Sequence, residues 1–252
     1  MVERTGQLRG RKVMARLMWL AAGMLAMVVL ALALLPPAGG GPQLALGQMR
    51  LAVPDPGGRE RRLSQPALVG ISALMMPRDY ADAHAFRAKV AGYLEQARKA
   101  GLMPEGSIVV WPEHLGTWLV AVDAPGIVTR TPAMGLAMTA LALARPRALW
   151  GVLARSHEKD RLAAALFRSR SQEMAAVYQD VFADLARRFG VTIVAGSIVL
   201  ENPAVVEGRL RTRPGPLYNT SVVFHPDGRA DPKLVRKVYP IPSEQPFTTA
   251  AD

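Results

Sequence analysis

The sequence predicts an α/β domain behind an N-terminal apolar segment, and three observations carry that prediction. Two short runs rich in Val and Ile, residues 107–111 and 191–200, read as buried strands. Residues 81–100 and 171–189 each repeat apolar side chains at helical spacing and stop at a glycine, Gly101 and Gly190. Residues 217–224 run into Pro226-Asp227-Gly228 and a second extended run at 233–238, which is the local chemistry of a hairpin.

Taken in order, residues 1–16 hold Arg4, Arg9, Arg11, Lys12 and Arg16 against the single acid Glu3. Residues 17–35 follow as 19 consecutive uncharged positions, close to the ~20 needed to cross a bilayer. Basic residues before the span and Pro36-Pro37-Ala38-Gly39-Gly40-Gly41-Pro42 after it place the amino terminus in the cytoplasm and everything beyond residue 36 outside. The stretch is longer than the roughly 7–15-residue apolar region of a signal peptide and has no clean small-x-small site. It reads as an uncleaved, single-pass anchor. Residues 36–66, with the charged cluster Arg59-Glu60-Arg61-Arg62 and no sustained period, read as a linker to a domain at 67–252.

Within that domain Ala67-Leu68-Val69-Gly70-Ile71-Ser72-Ala73-Leu74 suits a central strand, and Pro77 and Asp79 supply stop and cap signals. Phe86, Val90, Tyr93-Leu94 and Ala97 then line one face of the first helix, and the 107–111 strand follows. A second helix with Met174, Tyr178, Phe182, Leu185 and Phe189 leads into the 191–200 strand. Residues 115–165 depart from this alternation. Residues 133–144 are wholly uncharged and, after Arg145-Pro146-Arg147, a second apolar patch covers 148–154. Both are too short to span a bilayer, which needs about 20 residues, so they read as a core or interfacial helical hairpin inserted into the domain, serving as a lid, as a membrane-docking face or in no functional role.

Composition narrows the partners. With 252 residues, half of them apolar, the chain can bury a sizeable core. The net charge of +11 is arginine scattered along the chain rather than a stripe with interleaved aromatics, so nucleic acid is not an expected partner. The chain has no cysteine, and an exported domain of this size folds without disulfides. His84, His114, His157 and His225 are isolated in sequence, so spacing predicts no metal site. Gly39-Gly40-Gly41 follows no strand and makes no phosphate loop, so no cofactor is expected. Ser156-His157-Glu158 lies in a charged run and reads as a solvated helix start.

Two residues stand where chemistry is possible. Hydrolysing an unstrained amide or nitrile needs a strong nucleophile, a base to ionise it, and positive charge where the oxyanion develops. Glu113, at the carboxyl end of the 107–111 strand, suits the base, and partial burial there would raise its pKa toward a useful range. Lys237, ending the hairpin, suits the oxyanion role. If they share one reacting carbon, their charged groups should lie within about 3 to 6 Å at one edge of the sheet.

Several stretches carry a family resemblance. Val109-Val110-Trp111-Pro112-Glu113, Val194-Ala195-Gly196-Ser197, Leu217-Tyr218-Asn219-Thr220-Ser221-Val222-Val223-Phe224 with Pro226-Asp227-Gly228, and Arg236-Lys237-Val238-Tyr239-Pro240-Ile241-Pro242-Ser243-Glu244 resemble successive landmarks of the nitrilase, or carbon-nitrogen hydrolase, superfamily in the family's order. The likeness covers 67–252 and is similar in style to the extracytoplasmic domain of apolipoprotein N-acyltransferases and to soluble amidases. It implies a four-layer α-β-β-α sandwich, with Glu113 as base, Lys237 as oxyanion stabiliser and Glu244 as an assisting carboxylate, one residue short of the usual spacing from the Lys. Glu113 and Lys237 are 124 positions apart, which accommodates the 115–165 insertion.

The family's nucleophile is a Cys some tens of residues beyond the Lys, and this chain has none before it stops 15 positions past Lys237. The expectation is a truncated reading frame whose sandwich is incomplete at its C-terminus. The implied function is a membrane-anchored hydrolase of amide or nitrile carbon-nitrogen bonds through a Glu-Lys-Cys mechanism, without its Cys. An N-acyltransferase and a catalytically inactive binding module are the alternatives. A single anchor disfavours the acyltransferase, whose relatives carry a bundle of membrane helices. A small amide or nitrile and the membrane are the expected partners, with homo-oligomer formation left open.

Overall fold

The computed structural model describes residues 65–130, 134–144 and 146–251, together with positions 19, 20, 23, 24 and 27 of the N-terminal apolar stretch, which are helical. Most of the expected anchor and linker therefore lies outside the described residues. Two units of strand, helix and strand come first. Strand β1 (Leu68–Gly70) leads through a 3-10 turn at Pro77–Tyr80 into α1 (Ala83–Lys99) and then β2 (Ile108–Val110). Short helices α2 (Gly126–Arg130), α3 (Met134–Ala144) and α4 (Pro146–Leu153) precede the long α5 (Arg161–Phe189), which delivers the chain to β3 (Thr192–Glu201). The hairpin β4 (Ala204–Val206) and β5 (Arg209–Arg211) forms a separate two-stranded ribbon, and β6 (Leu217–Phe224) and β7 (Val235–Arg236) complete the main sheet.

The main sheet runs β1-β2-β3-β6-β7, with β1, β2 and β3 parallel and the last two pairings antiparallel. Strands added in sequence by crossovers of one hand place both connecting helices on the same face. Accordingly α1 meets α5 there, where Phe86 packs edge-on against Phe182 at 6.1 Å and Arg87 pairs with Asp184. Tyr178, Phe182 and Phe224 continue the stack, and Val109, Ile193 and Val222 come up from the sheet beneath them, all fully buried. Burying a side chain of this size contributes about 1.5–3 kcal/mol, which makes this layer the main source of the fold's stability.

The described residues leave the other sheet face open along β1, β2 and the first half of β3, whereas Ile198, Val199 and Leu200 farther along β3 are fully buried on both faces. Register puts Leu68, Ile108 and Thr192 in one row and Val110, Val194 and Val223 in another. Leu68 is 72% exposed, Ile108 42% and Val235 64%. A parallel sheet ordinarily has both faces covered. The described residues thus build one helix layer on one main sheet, a mixed α/β fold; the second large sheet and second helix layer of the expected four-layer sandwich are not found among them.

Other expectations shift in detail. The second helix starts at Arg161, ten positions before the apolar period suggested, with Asp160 capping it by accepting from Ala163 N. Ser156 is buried rather than part of a solvated start, and Glu158 pairs with Arg168. The second arm of the predicted hairpin is only two residues long, since Asp231 and His225 bond each other across a wide 225–234 loop. In the 115–165 stretch, α3 and α4 are short helices, and no helix among the described residues is long and apolar enough to cross a membrane.

Candidate functional site

Strand direction determines where the site forms. Because β6 is antiparallel to β3 and β7 antiparallel to β6, β7 runs parallel to β1, β2 and β3, so their carboxyl ends share one edge. Glu113 follows β2 and Lys237 follows β7 at that edge. Lys237 Nζ lies 2.7 Å from Glu113 Oε1 and 2.8 Å from Glu244 Oε2. The three residues singled out in the sequence are therefore one ion-paired cluster.

A bulge in β3 shapes the turn that carries Glu113. Pairing with β6 slips between Ala195 and Ile198, and Gly196 lies there against Pro112. A Cβ on Gly196 would stand 2.0 Å from the Pro112 carbonyl oxygen, so only glycine admits this approach. Ser197 Oγ then accepts from His114 N at 2.8 Å, and the Ser197 carbonyl accepts from Gly116 N at 2.9 Å. Gly116 is held as tightly, for its Cβ would meet the Tyr178 ring at 2.7 Å. Pinned at both ends, His114 takes a left-handed backbone with φ of 63°, an uncommon state for a residue with a side chain.

Glu244 arrives from a turn at the end of the chain, where its own backbone N donates to the Ile241 carbonyl and its Oε2 accepts from Ile241 N at 3.0 Å. That segment is held by Thr249 N donating to the Leu217 carbonyl and by Phe247 stacking on Phe167 of α5 at 5.3 Å.

Two further residues complete the cluster. His114 Nε2 is 2.5 Å from Glu244 Oε1, and its Nδ1 is 3.2 Å from Thr117 Oγ1. Asn219, buried near the start of β6, donates from Nδ2 to Glu113 Oε1 at 2.9 Å and to Glu244 Oε1 at 3.1 Å. Along the chain His114 has no i, i+4 histidine or cysteine partner, and Asn219 sits in a run of strand formers. The signals that could have found them are the adjacency of His114 to Glu113 and an amide placed among β-branched residues.

The electrostatics follow from these contacts. Hydrogen bonds to Glu113 and then to Glu244 raise the Lys237 pKa above its usual 10.5, so the ammonium stays charged. Burial pushes the Glu244 carboxyl upward, but hydrogen bonds from Lys237 and Ile241 N and the charges of His114 and Lys237 outweigh it, leaving its pKa below the usual 4.5. Glu113 departs from the expected partial burial: its side chain is 51% exposed, while that of Glu244 is only 4% exposed. The buried carboxylate thus orients the lysine and the open one faces solvent, where a substrate could reach both.

Glu113, His114 and Glu244 each present a ligand atom, and these atoms lie within 4.8 Å of one another. The Lys237 ammonium already stands between the two carboxylates, so a divalent cation would have to displace it or compete with its charge.

No family model matches this chain, and no curated protein matches it. Among solved structures the chain is similar to Saccharomyces cerevisiae Nit3, described as a member of branch 10 of the nitrilase superfamily. The match has 17% identity and a TM-score of 0.37, covering 77% of this chain and 52% of that one. The chain spans about half the length of the structure it matches.

Proposed function

We propose that this chain carries the base and oxyanion half of a nitrilase-type carbon-nitrogen hydrolase acting on an amide or nitrile. The single observation that supports it most is Lys237 Nζ held 2.7 Å from Glu113 and 2.8 Å from Glu244 at one sheet edge. In that arrangement Glu113 takes the proton of an attacking nucleophile, Lys237 stabilises the negative charge developing on the substrate oxygen or nitrogen, and Glu244 fixes the lysine. The covalent step needs a nucleophile that the 252 residues do not supply as cysteine. The proposal includes membrane anchoring through residues 17–35, supported by the basic flank and by Trp19, Leu20, Met24 and Met27, which are helical and 65–79% exposed.

The test is turnover of small amides and nitriles by the purified 252-residue chain, beside a version extended through any downstream Cys codon. The 252-residue chain is expected to be inactive, since removing a nucleophile from such a constellation costs about five to six orders of magnitude. The extended version is expected to turn over and to lose activity on Glu113→Gln. Equal turnover by both, abolished by Glu113→Gln, would assign the nucleophile to another residue of this chain. Turnover indifferent to Glu113→Gln would end the proposal.

A further inference from the structure

Beside the charged cluster is a cavity of about 280 Å³ that the cluster does not use. Its walls come from the turn after β1 (Met75, Tyr80), the 3-10 segment after Glu113 (Trp118, Ala121), α2 (Val128) and α3 (Met138, Leu141). Among the described residues, none of its lining side chains is charged. Both lining hydroxyls are already used: Tyr80 Oη donates to the Leu115 carbonyl at 2.8 Å and Thr129 Oγ1 to the Gly126 carbonyl at 3.3 Å. Burial also pushes the Tyr80 phenol pKa well up, so it remains a neutral donor committed to that carbonyl. Apart from the Trp118 indole N–H at the mouth, the described lining side chains leave a ligand no free hydrogen-bond donor, so a polar occupant deeper in would lose its hydration without replacement.

The cavity and the cluster share one segment. Tyr80, a wall of the cavity, bonds the Leu115 carbonyl two positions from Glu113, and Thr117, the neighbour of the wall residue Trp118, bonds the His114 ring. The turns after β1 and β2 leave parallel strands at the same sheet edge, which puts the wall residues Met75 and Tyr80 at the edge that carries Glu113. Trp118 is 40% exposed and gives the cavity a mouth. The three lining methionines, Met75, Met76 and Met138, bring adaptable thioether side chains that suit a flexible hydrocarbon.

We infer that this cavity holds the unbranched apolar acyl chain of the substrate whose amide or nitrile carbon sits at Glu113 and Lys237, an inference that rests on the proposed hydrolase reading. A cavity of ~150 Å³ accepts benzene, so 280 Å³ suits a chain of roughly eight to ten carbons. The polar end stays outside, where the ammonium is.

The experiment is photolabelling of the full chain in lipid nanodiscs with octanamide carrying a terminal diazirine, adducts being mapped by mass spectrometry. Adducts are expected on the turn after β1, on residues 118–121 and on α3. Unlabelled n-alkyl amides of increasing length should compete with half-effect concentrations falling roughly fourfold per methylene up to about eight carbons, then levelling. Ala121→Phe should flatten that dependence. Trp118→Ala, at the mouth, should weaken competition at every length when assayed well below the variant's own melting temperature, with circular dichroism showing it folded. Adducts on residues 17–35, scattered adducts, or competition independent of chain length in the unmutated protein would overturn the inference. Octanol competing as well as octanamide keeps the cavity assignment and counts against the amide reading. Adducts confined to the Glu113 turn with no length dependence do the reverse.

Discussion

Glu244 uses both of its oxygens: Oε2 faces Lys237 and Ile241 N, and Oε1 faces His114 and Asn219. Its lowered pKa means that its contribution to stability is present above its unfolded value near 4.5 and is lost as pH falls through the lower folded value. Lys237 behaves oppositely. Its raised pKa gives a contribution complete below 10.5 and lost as pH rises through the higher folded value. Urea midpoints measured across pH should therefore be level between those limits, and Glu244→Gln should flatten the acid limb selectively. An acid limb that is identical in the variant would remove Glu244 from the folded-state titration. Glu113 and Lys237 were legible in the sequence because each terminates a recognisable strand within stretches that resemble a known family; the strand ends alone read as ordinary surface charges. His114 and Asn219 were not, because their partners lie 130 and 106 or fewer positions away and only the β3 bulge and the strand register bring them together.

The β3 bulge positions that turn, which makes Gly196 the position to test at the scale of an element. Gly196→Ala puts a methyl group into the Pro112 carbonyl and 2.7 Å from Leu115 Cβ, so the turn carrying Glu113 has to move. The expected cost is about 1–3 kcal/mol, the range for overpacking a close-fitted site, read as a lower urea midpoint. A midpoint unchanged within error would mean the bulge is soft. The helical period of α1 was legible from Phe86, Val90 and Leu94. The first ten residues of α5 were obscured by Arg168 and Arg170, which a pattern search reads as surface. They are buried because Arg168 pairs with Glu158 and Glu201, and Arg170 with Glu173 and the carbonyls of Val120 and Val122. The β4–β5 ribbon went unseen because each strand is three residues long and gives period-two patterning too little length to register.

At the scale of the whole molecule the proposed arrangement is a cytoplasmic basic tail, one apolar crossing and a domain outside. An alkaline phosphatase fused after Asp252 should be active, and a reporter that works only in the cytoplasm should be silent there; the opposite pair of results would reverse the topology. The alternation of helix and strand was enough to reach a layered α/β class. The number of layers was not legible in the alternation, because strands such as 107–111 and 191–200 read as apolar on both sides whether the second side is covered by the same residues or by others.

The two rows that hold Leu68 with Ile108 and Val110 with Val194, on the part of the sheet face that the described residues leave open, have a thermal consequence. Water already touches this apolar surface in the folded state, so unfolding adds less new apolar hydration than the domain's size would suggest. The heat-capacity increment of unfolding should fall below the ordinary ~12–15 cal/mol/K per residue, and the stability curve should be correspondingly flat in temperature. Differential scanning calorimetry reads this directly, and an ordinary increment would mean that the rows are covered in solution.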